Sequence, residues 1–211
     1  MKEKNKNYEF ANIAVNAVIC TIKDKKLLIY LQTREKDPFK NYLELPGGLL
    51  HQKETAQETL IRKLKNITEL KNHSLHQFQT FTDPKRDLRS RTISIGYIAL
   101  LSSEKITSLK NFYQVDSLTK LAFDHQEIIK SAIKFLKQNI NNQLIQELMP
   151  KIFPLNDLQV VYQVISQKKI DNRNFRKKVL NSNLLQKAKI VQKNVNHRPA
   201  SLYQFTNKIR S

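Results

Sequence analysis

Cysteine is nearly absent. Cys20 is the only one in 211 residues, so no intrachain disulfide can form and a cysteine-built zinc site is excluded. No stretch stays apolar for roughly the 18 residues that a transmembrane helix needs. The N-terminus MKEKNKNYEF is polar and lacks the apolar centre of a signal peptide, which makes a reducing cytoplasm the expected compartment. Acidic residues are scarce too: 18 against 37 lysines and arginines, for a net charge of +19 and a pI near 10.0. That imbalance argues against a metal-storage protein and for a polyanionic partner, either nucleic acid or an anionic membrane. Glycine occurs three times, and two of the three are adjacent, Gly47 and Gly48.

What is present suffices for a packed core: 40% of the residues are hydrophobic and 26% charged. The length favours two small domains over one large one. Charge separates along the chain. Residues 1–140 carry 24 basic and 15 acidic residues, whereas residues 141–211 carry 13 and 3. The Asn/Gln-rich stretch Gln138–Gln143 marks a boundary, giving expected domains 1–142 and 143–211.

The first half reads as strands around one helix. Ile13–Cys20 is an apolar run expected as a buried strand, Asp24–Lys26 a turn, and Leu27–Leu31 the returning strand of a hairpin. Glu44–Gly48 is a punctuated loop whose glycines imply unusual dihedrals or a close approach. Thr55 and Glu58 fit a capping box, and Ala56, Leu60, Leu64 and Ile67 fall on one helical face. Gln77–Phe81 and Thr92–Leu101 read as strands, His125–Lys137 as an amphipathic helix, and a short helix runs to Pro150.

The remainder has another texture. Leu155, Leu158, Tyr162 and Ile165 give a helix, and Asp171 caps a second one with Phe175 and Val179 inward. Leu184–Val191 and Ala200–Phe205 form two strands about a tip at Gln192–Pro199. Helix, short turn, basic helix and basic hairpin is the layout of a winged helix-turn-helix. The expected fold class is α+β, ending in that winged helix.

Gly48, then five residues to Glu54, then seven to Arg62, preceded by Leu45-Pro46-Gly47, resembles the Nudix box. In that family three further glutamates, at helix spacing i, i+3 and i+4, hold Mg²⁺ against a diphosphate. Here those positions are Lys63, Asn66 and Ile67, and Glu69 replaces the family's last glycine. No metal or other cofactor and no catalytic residue is therefore expected. Glu54 reads as a helix-start carboxylate and Arg62 as a brace.

Further stretches resemble the Nudix-related regulators of NAD metabolism, the NrtR family. Pro84-Lys-Arg86-Asp87-Leu-Arg89 resembles its Pro-x-Arg-Asp-x-Arg segment, and His125–Ile129 the start of its inter-domain helix. Phe153–Tyr162 with Asp171–Arg176 is similar to its helix-turn-helix, and Arg198–Phe205 to its wing. The resemblance implies an N-terminal Nudix-like α/β/α sandwich with a mixed sheet ahead of the winged helix, in a homodimeric repressor that binds a palindromic duplex operator, has no membrane partner and answers to ADP-ribose or a related nucleotide. A pentose-sensing relative is the alternative effector reading, and an active Nudix hydrolase or an RNA-binding accessory the alternative classes. A major-groove helix argues against RNA.

For a diphosphate ligand, Arg34, Gly47, Gly48, Arg86, Arg89 and Arg91 are the candidate phosphate contacts, and Phe81 the candidate base platform. For DNA, Asn172, Arg173, Asn174, Arg176, Lys177 and Lys178 occupy the second helix, and Lys187, Lys189, Lys193, His197 and Arg198 the wing. His51, His73, His76 and His125 show no ligand spacing beyond the 73/76 pair, which lacks further partners, and are expected in loops or at the surface, and Cys20 in the core.

Overall fold

A computed structural model describes residues 10–65, 75–140, 144–189 and 201–206. The first apolar run becomes β1 (Asn12–Lys23). Asp24 and Lys25 take left-handed φ of 50° and 59°, the geometry of a two-residue hairpin turn, and return the chain as β2 (Lys26–Tyr30). β3 (Gln32–Thr33) and β4 (Leu43–Glu44) make a separate small ribbon, while β5 (Gly47–Leu49) pairs antiparallel with β1. Then come α1 (Ala56–Leu64), β6 (His76–Phe81), β7 (Thr92–Leu101), β8 (Phe112–Gln114) and α2 (His125–Gln138). The main sheet runs β6-β7-β1-β2-β8, with β5 beside β1. β1 and β7 are parallel from Asn12 opposite Thr92 to Thr21 opposite Leu101, so the sheet is mixed.

Alternation along β1 sorts its side chains between two layers. Val15, Ala17 and Ile19 join Leu60 and Leu64 of α1, whereas Val18, Cys20 and Ile22 join Ile128, Ile129, Ala132 and Leu136 of α2. Helices cover both faces, which is the α/β/α sandwich.

The C-terminal unit holds α3 (Leu144–Leu148), β9 (Phe153–Pro154), α4 (Leu155–Ser166), α5 (Asn172–Asn181), β10 (Leu185–Lys187) and β11 (Leu202–Phe205). Its sheet is ordered β10-β11-β9, so the expected hairpin gains a third strand. Tyr162 meets Phe175 edge-on at 5.3 Å between ring centroids, and Phe153 lies 5.2 Å from Phe205. The apolar cluster on the α2 side of the main sheet continues through α3 and α4 to Phe175 and Val179. α2 packs on α4, α3 on β7, and the His76 ring lies 2.9 Å from the Glu147 carboxylate.

The architecture is the expected α+β arrangement, with some differences. The short strands β3, β4, β8 and β9 had no signal of their own, and the loop around Gly47 supplies a strand. The break expected between residues 142 and 143, the helix position of Ile67 and the tip Gln192–Pro199 lie outside the described residues.

Candidate ligand cleft and nucleic-acid interface

The Pro46-Gly47-Gly48 loop is shaped by close approach. A Cβ on Gly47 would fall 2.1 Å from the Val15 carbonyl oxygen, so only glycine lets this strand lie against β1. At Gly48 the missing Cβ leaves room for the Lys63 side chain: a methyl group there would sit 2.6 Å from Lys63 Cε.

α1 starts with the expected capping box, Glu58 N–H donating to Thr55 Oγ1 and Thr55 N–H to Glu58. Beside it Glu54 accepts four donors. Arg62 Nε and Nη2 each approach to 2.6 Å, Thr59 Oγ1 to 2.9 Å and His51 N–H to 3.1 Å. The Arg62 hydrogen bonds, helped by the His51 amide and the Thr59 hydroxyl, push the carboxyl down to about 2. Arg62 also donates to the Leu49 carbonyl at 3.3 Å, tying helix to loop. Glu54 and Arg62 are thus a clasp.

His125 corrects the expectation of a loop or surface histidine. It opens α2, is 5% exposed, and accepts the Leu45 N–H on Nδ1 at 3.0 Å, which leaves its ring proton on Nε2. Asn16 Nδ2 packs 3.3 Å from Nε2, a donor facing a donor, and Asn16 Oδ1 accepts the Ser94 hydroxyl at 2.7 Å. Burial, and then the Arg86 and Arg34 charges, drive its pKa down to about 3. His51 is exposed, His76 is half-buried against Glu147, and His73 lies outside the described residues. Cys20 is fully buried, which raises its thiol to about 12.

Loop, α1, the β3–β4 ribbon and the segment around residues 86–92 surround a cleft of about 840 Å³, within the range of roughly 300–1,000 Å³ for small-ligand sites. Of the candidate phosphate contacts, Arg34, Gly47, Gly48, Arg86 and Arg89 line it, but each of the three guanidiniums already has a carboxylate. Arg34 donates to Glu44 at 2.8 Å, Arg86 makes two bonds of 2.8 Å to Asp124, and Arg89 reaches Asp87 at 2.9 and 2.8 Å. Two expected residues are elsewhere. Phe81 is 7% exposed and packs on Phe78 in the core, because its position in β6 points it under α2. Arg91 turns back to donate to the Thr82 carbonyl at 2.8 Å and does not line the cleft.

The aromatic wall of the cleft is Phe123. Its ring lies 4.7 Å from the Arg34 guanidinium and 5.1 Å from that of Arg89. Its backbone is left-handed, φ 51°, a conformation that is costly for a bulky residue. Sequence reading missed Phe123 and Asn16, and put Lys63 on the metal face without naming it as a ligand contact. Only the resemblance at His125–Ile129 pointed near the first of these.

On the other unit, Asp171 accepts the Asn174 N–H at 2.8 Å and caps α5, where its charge suits the helix dipole. Phe175 and Val179 are buried, and Asn172, Arg173, Asn174, Arg176, Lys177 and Lys178 are all exposed. At about 100° per residue, Arg173 and Lys177 stand opposite Phe175, with Arg176 on the flank. Among the described residues none of these cations forms an ion pair. Lys187 and Lys189 are exposed beside them, whereas Lys193, His197 and Arg198 lie outside the described residues. Also among the described residues, no three His, Cys, Asp or Glu side chains gather where they could hold a metal ion, and no helix is long and apolar enough to cross a membrane.

A mixed sheet between two helical layers, with a glycine loop clasped to the following helix, defines a Nudix domain. The chain belongs to the Nudix family: it matches the NUDIX domain over residues 12–138, and residues 145–205 match the NrtR DNA-binding winged helix domain. It is 28% identical to the ADPR responsive transcriptional repressor NtrR of Acinetobacter baylyi over 94% of this chain and 84% of that protein. It shares 32% identity with an ADP-ribose pyrophosphatase of Methanocaldococcus jannaschii, over 63% of this chain and 79% of the relative. The crystal structure of Shewanella oneidensis NrtR complexed with a 27mer DNA superposes with a TM-score of 0.78 at 28% identity, covering 92% of this chain and 93% of that one.

Proposed function

We propose that the chain is a DNA-binding transcriptional repressor of the NrtR type, whose Nudix domain senses ADP-ribose or a related NAD metabolite and controls genes of NAD metabolism. The observation that carries this reading is the joining of a Nudix cleft to a helix-turn-helix whose second helix exposes four cations and three asparagines, the cations having no acid partner among the described residues. Duplex DNA is the partner that such a helix suits, because the major groove admits it and phosphates flank it. Two protomers would place α5 in successive major grooves of a palindromic operator. Such a repressor works beside the chromosome, in the cytoplasm.

The test is a mobility-shift titration on the promoters of its own gene and neighbouring genes, with and without ADP-ribose. Retardation of a native promoter over random duplex, reversed by ADP-ribose, supports the reading. Equal binding to random duplex removes it. Calorimetry that gives heat with a pentose and none with ADP-ribose would move the effector to the sugar alternative.

A hydrolase is the second reading, favoured by the 32% identity to a pyrophosphatase. Against it stand Lys63 on the face where the family places a glutamate and the four donors that occupy Glu54. Purified protein with Mg²⁺ should leave ADP-ribose intact. Turnover above background that Glu54→Gln abolishes would establish the enzyme.

A further inference from the structure

The Nudix fold implies a divalent cation at the loop–helix junction, and the donor set here does not fit one. Glu54 has its oxygens taken by Arg62, Thr59 and His51, and the first position on the metal face is Lys63. Among the described residues the cleft's arginines are each matched to an acid, whereas its two lysines, Lys36 and Lys63, make no ion pair, and Lys63 is the one that lies against Gly48. Its side chain lies across Gly48, with Nζ 3.1 Å and Cε 2.6 Å from where a Cβ would stand, so the loop keeps a bare backbone beside this ammonium.

We propose that the Lys63 ammonium is the cleft's built-in cation, taking over the metal's electrostatic role and making diphosphate binding independent of a divalent ion. The arginines, locked to Glu44, Asp87 and Asp124, shape the walls. Lys63, held at the glycine loop, brings an uncompensated positive charge to the ligand's phosphates. This rests on the effector reading above, and inorganic pyrophosphate separates the two.

Calorimetry on the full chain, in EDTA and again in Mg²⁺, uses wild type, Lys63→Met and Lys63→Arg with ADP-ribose and with pyrophosphate. A charge-assisted hydrogen bond is worth about 1.5–3 kcal/mol, so Lys63→Met should weaken both ligands roughly ten- to a hundred-fold in EDTA. Wild-type affinity should be the same in both buffers, and Lys63→Arg should recover part of the loss. Lysine-dependent binding of pyrophosphate without any ADP-ribose heat would fell the effector reading and leave the cation standing. Wild-type binding that vanishes in EDTA, full affinity in Lys63→Met, or no binding of either ligand would overturn the proposal.

Discussion

Glu54 and His125 both tie single residues to the acid stability of the cleft. The Glu54 carboxyl is held near 2 instead of its ordinary 4.5, so its contribution is complete above about pH 4.5 and is lost as pH falls toward 2. Replacing it by glutamine should lower the urea midpoint at pH 7 and flatten the acid limb of the stability curve. The His125 ring, held near 3 instead of 6.5, works through the unfolded chain. Below about pH 6.5 the unfolded state takes up a proton that the folded ring refuses, and at pH 5 the difference is about 2 kcal/mol. Wild type should therefore lose more stability between pH 7 and pH 5 than His125→Gln does; equal losses would deny the buried neutral ring. At this scale the sequence reading was uneven. Gly47, Gly48 and Cys20 were legible because glycine scarcity and apolar runs are local signals. Phe81 and Phe123 were not, because strand alternation tells which residues share a face but not which face looks into the cleft. Phe123 gains its place from a left-handed backbone set by distant packing.

Helices announced themselves through their caps. Thr55 with Glu58, and Asp171 as a lone cap, placed the starts of α1 and α5 where the structure has them. The short strands did not, because β8 and β9 exist only through remote partners: Tyr30 opposite Phe112, and Tyr203 opposite Phe153. A two- or three-residue segment has no periodicity to read. For α5 the consequences are measurable. Asp171→Ala should cost about 0.5–2 kcal/mol of stability by thermal melting, since Asn174 N–H loses its acceptor. Arg176→Ala should lose about 1–3 kcal/mol of operator affinity and relax preference at one base position. Lys189→Ala should weaken every sequence alike and reduce the salt slope by about one. Identical, sequence-independent losses in both would reassign Arg176 to phosphate.

Over the whole molecule, charge and core act together. If roughly three to five cations per subunit reach phosphate, a dimer neutralises about six to ten, and affinity should fall about 10³–10⁵-fold between about 50 and 200 mM salt. A shallow slope would mean fewer contacts than α5 and the wing offer. The apolar cluster that runs from the main sheet through α2, α3 and α4 to Phe175 has no gap between the units. Calorimetry should accordingly show one melting transition, and two separated peaks would mean that the halves unfold on their own.

The ends of α2 are fastened differently. One is pinned at the cleft, through Asp124 to Arg86 and through His125 to the Leu45 amide, and the body of the helix rests on α4. Fourteen residues make a rod of about 21 Å, so a tilt of roughly three degrees at the pinned end swings the far end by about 1 Å. In the two-fold dimer proposed above, those swings would run in opposite senses and double the error in reach between half-sites. Leverage of that kind needs no melting and no large hinge. Under the function proposed above, a ligand that shifted the pinned end of α2 would put two reading heads out of step with the pitch of the duplex.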